Sequence, residues 1–348
     1  MPGIMKLRLG LIGLGKDWQT RHLPALRLLQ DRFEVRAVYS SVSLFADQVA
    51  RELRAERVDG YRDLVEREDV DAIMMLEADW YGLLPLMAAC DAGKAVYCSS
   101  EIDFEPAAAA ELKRRVDQAG IAFMSELPRR FAPATLRLKE LIATRLGHPR
   151  LLFCHRRLPA ETGDHSRSAR SLNARSDREL IELIDWCRYI VGHDPNWVQA
   201  VWHPSIHDSI TADYQIISLD FSQGDDNRRR TLAQISCGAY IPSSWHEAIA
   251  FRPPAAVQVC CEKGLAFVDL PSGLVWFDQA GRHQESLDSE LPVGQQLLTQ
   301  FHRAVTSLLR KVGDLEDAYR ALSTLEGAQR SMREGIRVQL DFNREENS

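Results

Sequence analysis

The chain has 348 residues, of which 45% are hydrophobic and 26% charged, and a formal net charge of −6. That length accommodates two domains with cores of their own, and the composition is that of an ordinary soluble globular protein. The acidic balance excludes a global basic field for nucleic acid, and no apolar run approaches the ~18 residues that span a membrane.

The N-terminal stretch, Met-Pro-Gly-Ile-Met-Lys, lacks the apolar core of a signal peptide. The seven cysteines are an odd count without metal-ligand spacing, and only Cys260 and Cys261 are close together. Free thiols in a reducing cytoplasm are expected. His155, His165 and His207 are scattered without ligand spacing, so no metal site is expected.

In chain order, residues 6–12 alternate too weakly for an edge strand and suit a buried parallel one. A helical pattern opens at Gln19, with Leu23, Leu26 and Leu29 at helical spacing. Phe33 to Tyr39 reads as a strand and Leu44 to Leu53 as a helix. Another buried strand starts at Asp71, followed by a helix carrying Leu83, Leu86, Met87 and Cys90 and closed by Gly93. Residues 94–98 form the next strand, Pro106 to Ala119 a helix, and 121–124 a further strand. This alternation predicts an α/β, Rossmann-type doubly wound parallel sheet over residues 1–125.

The pattern then changes. Pro133 to Arg145 reads as a helix, Leu151 to His155 as a strand, residues 158–176 as a long polar loop, and Asp177 to Val191 as a helix. From Trp197 to Phe277 come closely spaced strand-like runs, among them 215–221 and 256–261, separated by turn signals. Two helices, about 294–310 and 315–334, finish the chain. Residues 126–348 therefore read as an α+β domain with a largely antiparallel, open sheet. Its open face would be an aggregation hazard if left uncovered.

The stretch most charged with chemistry is Gly13-Leu14-Gly15-Lys16-Asp17-Trp18, set between the first strand and the first helix. Gly13 permits a tight turn. Gly15 lets backbone N–H groups approach a pyrophosphate at the start of a helix, as in a dinucleotide fingerprint. Trp18 takes the third glycine position, either filling space or stacking on a ligand.

Further segments carry a resemblance. Gly13-Leu-Gly with His22-Leu-Pro-Ala-Leu, Ala92-Gly-Lys-Ala-Val-Tyr-Cys98, Arg129-Arg-Phe-Ala-Pro133 and Ser331-Met-Arg-Glu-Gly-Ile-Arg-Val-Gln-Leu340 occur in one order. Together they resemble the glucose–fructose oxidoreductase, inositol dehydrogenase and rhizopine-catabolism (Gfo/Idh/MocA) family over nearly the whole chain. The resemblance implies NAD(H) or NADP(H) as cofactor and a sugar, cyclitol or related small polar compound as substrate. It also implies a small-molecule ligand in the cleft between two domains, and a homodimer or homotetramer through the open sheet.

The family's functional positions do not carry their usual residues. Its Glu-Lys-Pro motif falls on Ser99, Ser100 and Glu101, so the catalytic lysine is Ser100. Its catalytic histidine falls on Glu182, and the aspartate before it on Arg178. Its Thr-Pro-Asn falls on Glu77, Ala78 and Asp79, and the acidic residue that ends the second strand falls on Ser40. Ser100 cannot stabilise an alkoxide by charge. Glu182 serves as a base only if burial raises its pKa, and a guanidinium from Arg178, one helical turn away, would lower it. Glu101 either caps the helix from Pro106 or meets a ligand. Glu77 tends to repel a pyrophosphate, and Ser40 cannot grip two ribose hydroxyls. NAD or NADP binding is therefore expected to be weak or lost.

Six arginines, Arg156, Arg157, Arg167, Arg170, Arg175 and Arg178, cluster against few acids. They read either as a solvated loop or as a fork for an anionic ligand. Two main functions follow, with a different reaction such as an elimination through the cofactor or Glu182 as a weaker third. One is an NAD(P)-dependent oxidoreductase with a rebuilt catalytic set. The other is a non-redox descendant that binds a small, anionic ligand or a protein partner.

Overall fold

A computed structural model describes residues 5–77, 81–99, 106–160, 169–204, 212–222, 230–242, 244–288, 290–307 and 314–342. The chain forms two compact units. The first comprises Met1–Pro128 and Leu291–Tyr319, the second Arg129–Glu290 and Arg320–Ser348. The sequence suggested one break near residue 125; instead the chain returns to the first unit at Leu291. That return is invisible in periodicity, because a helix pattern does not state which core it joins.

In the first unit, β1 (Leu7–Ile12) leads through a π-helical turn, Trp18–His22, into α1 (Leu23–Leu28). There follow β2 (Phe33–Tyr39), α2 (Ser43–Leu53), β3 (Glu56–Arg57), α3 (Tyr61–Val65), β4 (Ala72–Met75), α4 (Leu84–Asp91), β5 (Ala95–Cys98), α5 (Pro106–Ala119) and β6 (Phe123–Ser125). The strands pair in parallel in the order β3-β2-β1-β4-β5-β6. This is the doubly wound order whose topological switch point lies between β1 and β4.

The inner strands β4 and β5 are apolar and buried throughout, as strands covered on both faces are. Leu7, Leu9, Leu11 and Ile12 of β1, and all four residues of β4, are buried. The two-residue edge strand β3 and the one-turn helix α3 carry no periodicity and were not anticipated.

The second unit opens with α6 (Pro133–Leu141), then β7 (Pro149–Ala160), α7 (Ala169–Val191), β8 (Trp197–Pro204), β9 (Ala212–Asp220), β10 (Leu232–Pro242), α8 (His246–Ala250), β11 (Val257–Cys261), β12 (Leu265–Asp269), β13 (Gly273–Asp278) and β14 (Gly281–Ser286). Later come α9 (Val293–Thr306), which belongs to the first unit and packs on α1, α10 (Asp314–Glu334), and β15 (Val338–Gln339). Residues 314–319 of α10 belong to the first unit and 320–334 to the second.

The second sheet has the order β14-β13-β12-β11-β7-β10-β9-β8-β15. All pairs are antiparallel except β7 with β10. It is therefore mixed but largely antiparallel. One face packs its alternate residues, such as Leu152, Ile217, Ile235 and Val259, into a core with Leu183, Trp186 and Ile190 of α7 and Leu325 of α10.

The predicted loop over 158–176 is shorter than expected. β7 runs on to Ala160 and α7 begins at Ala169, so only residues 161–168 separate them. Polar residues hid a helical turn there, because the apolar stripe of α7 starts only further along.

Candidate functional site

The glycine turn sits where the sheet order reverses. Gly13 and Gly15 follow β1 with φ of 67° and 53°, a region that glycine enters without a Cβ penalty. Close packing demands glycine as well. A Cβ on Gly13 would lie 2.7 Å from Cβ of Glu77, and one on Gly15 would lie 2.5 Å from the Leu76 carbonyl oxygen. The turn is pinned on both sides, with the Gly13 amide donating to Tyr39 O at 2.9 Å and the Leu76 amide to Ile12 O at 2.9 Å.

Glu77 follows β4, so the register that pairs β1 with β4 brings it against the turn. Its Oε2 accepts the backbone N–H of Gly15 at 3.4 Å. The amide that a fingerprint turn offers to phosphate thus faces a carboxylate of the same chain. Leu14 and Trp18 are buried at 1% exposure, whereas Lys16 is exposed. Asp17 Oδ2 lies 3.4 Å from Arg21 Nη1, and its carbonyl accepts the amides of Arg21 and His22 at 2.9 and 3.3 Å. Trp18 is a core side chain here, in keeping with space filling.

Ser40, just beyond β2, is 8% exposed and its Oγ accepts the Val42 amide at 3.3 Å. Beside it, the Tyr81 hydroxyl donates to the Tyr39 hydroxyl at 3.2 Å, and the Tyr61 and Tyr81 rings meet at 5.8 Å. Ser99 is buried after β5 and donates to Leu76 O at 3.0 Å. Ser100, Glu101 and Asp79 lie outside the described residues.

The backbone of this turn fits a dinucleotide pyrophosphate, but the side chains set in front of it do not. Glu77 places negative charge on the amide, and Ser40 has its oxygen turned to its own loop.

Sequence reasoning missed a buried polar cluster in the same unit. Glu126, fully buried just after β6, accepts from Tyr97 Oη at 2.9 Å, meets His22 Nε2 at 2.8 Å, and pairs with Arg21. Burial alone would raise the Glu126 pKa, but His22 and Arg21 overcome it and hold the carboxyl down at about 2. Burial and the Glu126 charge push the Tyr97 phenol well above its usual range. The available signal was a lone carboxylate ending the apolar run Phe-Met-Ser-Glu.

In the second unit, Glu182 stands on α7 and receives Arg129 Nε at 3.1 Å. Arg129 also reaches Glu179 at 2.6 Å and lies over the Trp186 ring at 5.8 Å. Glu179 in turn meets Arg156 at 3.2 Å. Glu182 is thus ion-paired with Arg129, a residue the sequence marked only for its motif. Arg178, one turn before Glu182, stands on the same helix. Of the arginine cluster, Arg156 and Arg157 are already engaged, Arg157 with Phe251 O at 3.0 Å; the side chains of Arg167, Arg170 and Arg175 lie outside the described residues.

A groove of about 540 Å³ on the second sheet is lined by Leu151, Trp197, Gln199, Asp220, Leu232 and Arg337, and none of the candidate residues lines it. Among the described residues, no group of His, Cys, Asp and Glu is placed to hold a metal ion. No described helix is long and apolar enough to cross a membrane.

Residues 7–127 match the model of the Gfo/Idh/MocA oxidoreductase family, NAD-binding Rossmann fold. The oxidoreductase YrbE of Bacillus subtilis is 26% identical over 182 residues, and the dehydrogenase aclE of Aspergillus oryzae is 30% identical over 146 residues. These matches take in 49% and 39% of the chain, and they span about half of the first relative and two fifths of the second (52% and 40%). The aldose-aldose oxidoreductase of Caulobacter crescentus superposes with a TM-score of 0.81 at 17% identity, covering 96% of this chain and 100% of that one. An NAD binding oxidoreductase from Klebsiella pneumoniae gives 0.78 at 18% identity, covering 97% and 100%. These likenesses establish a common fold across both units. Residues 7–127 are thus similar to the NAD-binding Rossmann domain of the Gfo/Idh/MocA oxidoreductase family.

Proposed function

We propose that the protein acts on a sugar, cyclitol or related small polar compound as an NAD(P)-dependent oxidoreductase with a weakened hold on its dinucleotide. The observation that carries this reading is the glycine turn. Gly13 and Gly15 keep positive φ at the β1–β4 switch point, where doubly wound sheets bind nucleotides. The usual lysine and histidine are replaced by Ser100 and Glu182, so the proton acceptor that alcohol oxidation needs is not the family's own.

The second reading is a non-redox descendant that keeps the binding of a small polar ligand. The pairing of Glu182 with Arg129 favours it, because the carboxylate at the family's base position is held in an ion pair at 3.1 Å. Titration of the purified protein with NADH and NADPH, read by nicotinamide fluorescence, tests the cofactor. A screen of sugars and cyclitols with NAD and NADP tests the chemistry. Turnover that Glu182→Gln abolishes supports the oxidoreductase with Glu182 as base. Bound substrate without turnover supports the non-redox reading.

A further inference from the structure

The Gly15 amide and the Glu77 carboxylate are brought together by the parallel pairing of β1 with β4 and held by packing that only glycine permits. We infer that Glu77 is a specificity-determining residue that occupies the phosphate amide of the glycine turn with its own carboxylate. The turn thereby disfavours pyrophosphate-bearing nucleotides and favours a nucleoside-like ligand that is neutral at that position. The inference rests on the assignment of the glycine turn to nucleotide binding made above.

Three observations support it. Glu77 Oε2 accepts from Gly15 N at 3.4 Å. An anion arriving at this amide meets an existing acceptor and a like charge, and must displace both. Residue 77 lies directly against the turn, since a Cβ on Gly13 would come within 2.7 Å of Glu77 Cβ and 2.9 Å of its carbonyl oxygen. At the ribose end, Ser40 Oγ is engaged with the Val42 amide, and the neighbouring groups are the phenols of Tyr39 and Tyr81. The Gly15 amide and the Ser40 oxygen are thus each engaged within the chain, with the neutral phenols of Tyr39 and Tyr81 close by.

The probes are ADP-ribose, which carries the pyrophosphate without nicotinamide, and adenosine, which carries none. Calorimetric titration compares the full-length protein with Glu77→Ala and Glu77→Gln. Alanine retains the Cβ that packs on Gly13, so the turn keeps its support. Loss of one charge-assisted acceptor and of the like charge predicts a gain in ADP-ribose affinity of roughly tenfold or more for Glu77→Ala. Adenosine affinity should stay within about twofold, a difference too small to reflect a lost charge contact.

Glu77→Gln, which removes charge but keeps an acceptor, should fall between Glu77→Ala and the unmodified protein. A selective gain for ADP-ribose supports the inference. No gain, an equal gain for adenosine, or tight ADP-ribose binding by the unmodified protein overturns it. A dead dehydrogenase with a Glu77-dependent ADP-ribose gain would sink the oxidoreductase reading and leave this one standing.

Discussion

Glu126 and His22 face each other at 2.8 Å inside the first unit, with the carboxylate fully buried and the imidazole 2% exposed. A carboxylate out of water is costly unless its oxygens are matched. Here Arg21 takes one oxygen, and His22 and Tyr97 share the other. The cluster joins the π-helical turn to the ends of β5 and β6, and so fixes the segment that follows the glycine turn.

Acid should therefore unfold the first unit through Glu126. Its folded pKa, about 2, lies below its ordinary value of 4.5. The group contributes stability that is fully present above the ordinary value and is lost as pH falls toward the folded one. Thermal melts between about pH 5 and pH 2 should show a steep loss of stability that flattens in Glu126→Gln. At neutral pH, Glu126→Gln should cost about 3 kcal/mol, because it leaves Arg21 facing a neutral amide. An unchanged acid slope in the variant would remove Glu126 from this role.

Trp18→Ala tests whether the indole blocks a nucleotide or supports the core. The side chain is 1% exposed, and truncating a buried tryptophan costs about 3–5 kcal/mol through lost transfer energy and a cavity. Denaturant unfolding should show that loss. NADH affinity should not improve, since the Glu77 carboxylate remains at Gly15. A gain in NADH affinity without destabilisation would restore the blocking role.

The fold was more legible than the site. Buried strands with no alternation, such as Ala72–Met75, and strand–helix spacing announced a parallel sheet because both faces must be covered. The glycine turn was legible because positive φ restricts residue choice. What escaped depends on contacts between distant positions. Glu126 meets His22 across a separation of 104 residues, and Glu182 meets Arg129 across 53. Neither distance leaves a mark in local pattern. The approach of Glu77 to Gly15 was foreseen in sign, as a negative charge near a phosphate site, but not as a hydrogen bond.

Asp185 is the buried centre of the second unit's charge pairs. It accepts Arg130 Nε at 2.7 Å and Arg188 Nη1 at 3.3 Å, with its side chain 2% exposed. Replacing it with asparagine leaves two guanidinium groups without a counter-charge of that geometry. The expected cost is about 3–5 kcal/mol, read by chemical denaturation. A loss below about 1 kcal/mol, the size of an exposed pair, would show that Asp194, which meets Arg188 at 2.6 Å, suffices as counter-charge.

The open face of the second sheet sets the last expectation. Leu151, Val201, Leu232 and Phe277 are each more than a third exposed there, and Leu151 and Leu232 are direct partners in the β7–β10 register. Apolar side chains gathered on one sheet face mark an interaction surface. A homodimer or homotetramer through this face would cover them, and light scattering at micromolar concentration should give a multiple of 39.4 kDa. Leu232→Glu places a charge beside Leu151 without entering the core, because residue 232 is 49% exposed. It should reduce the scattering mass to that of one chain while leaving the melting temperature of the monomeric fold within a few degrees, as surface substitutions usually do. A monomer before substitution, or an assembly indifferent to Leu232→Glu, would move the interface elsewhere.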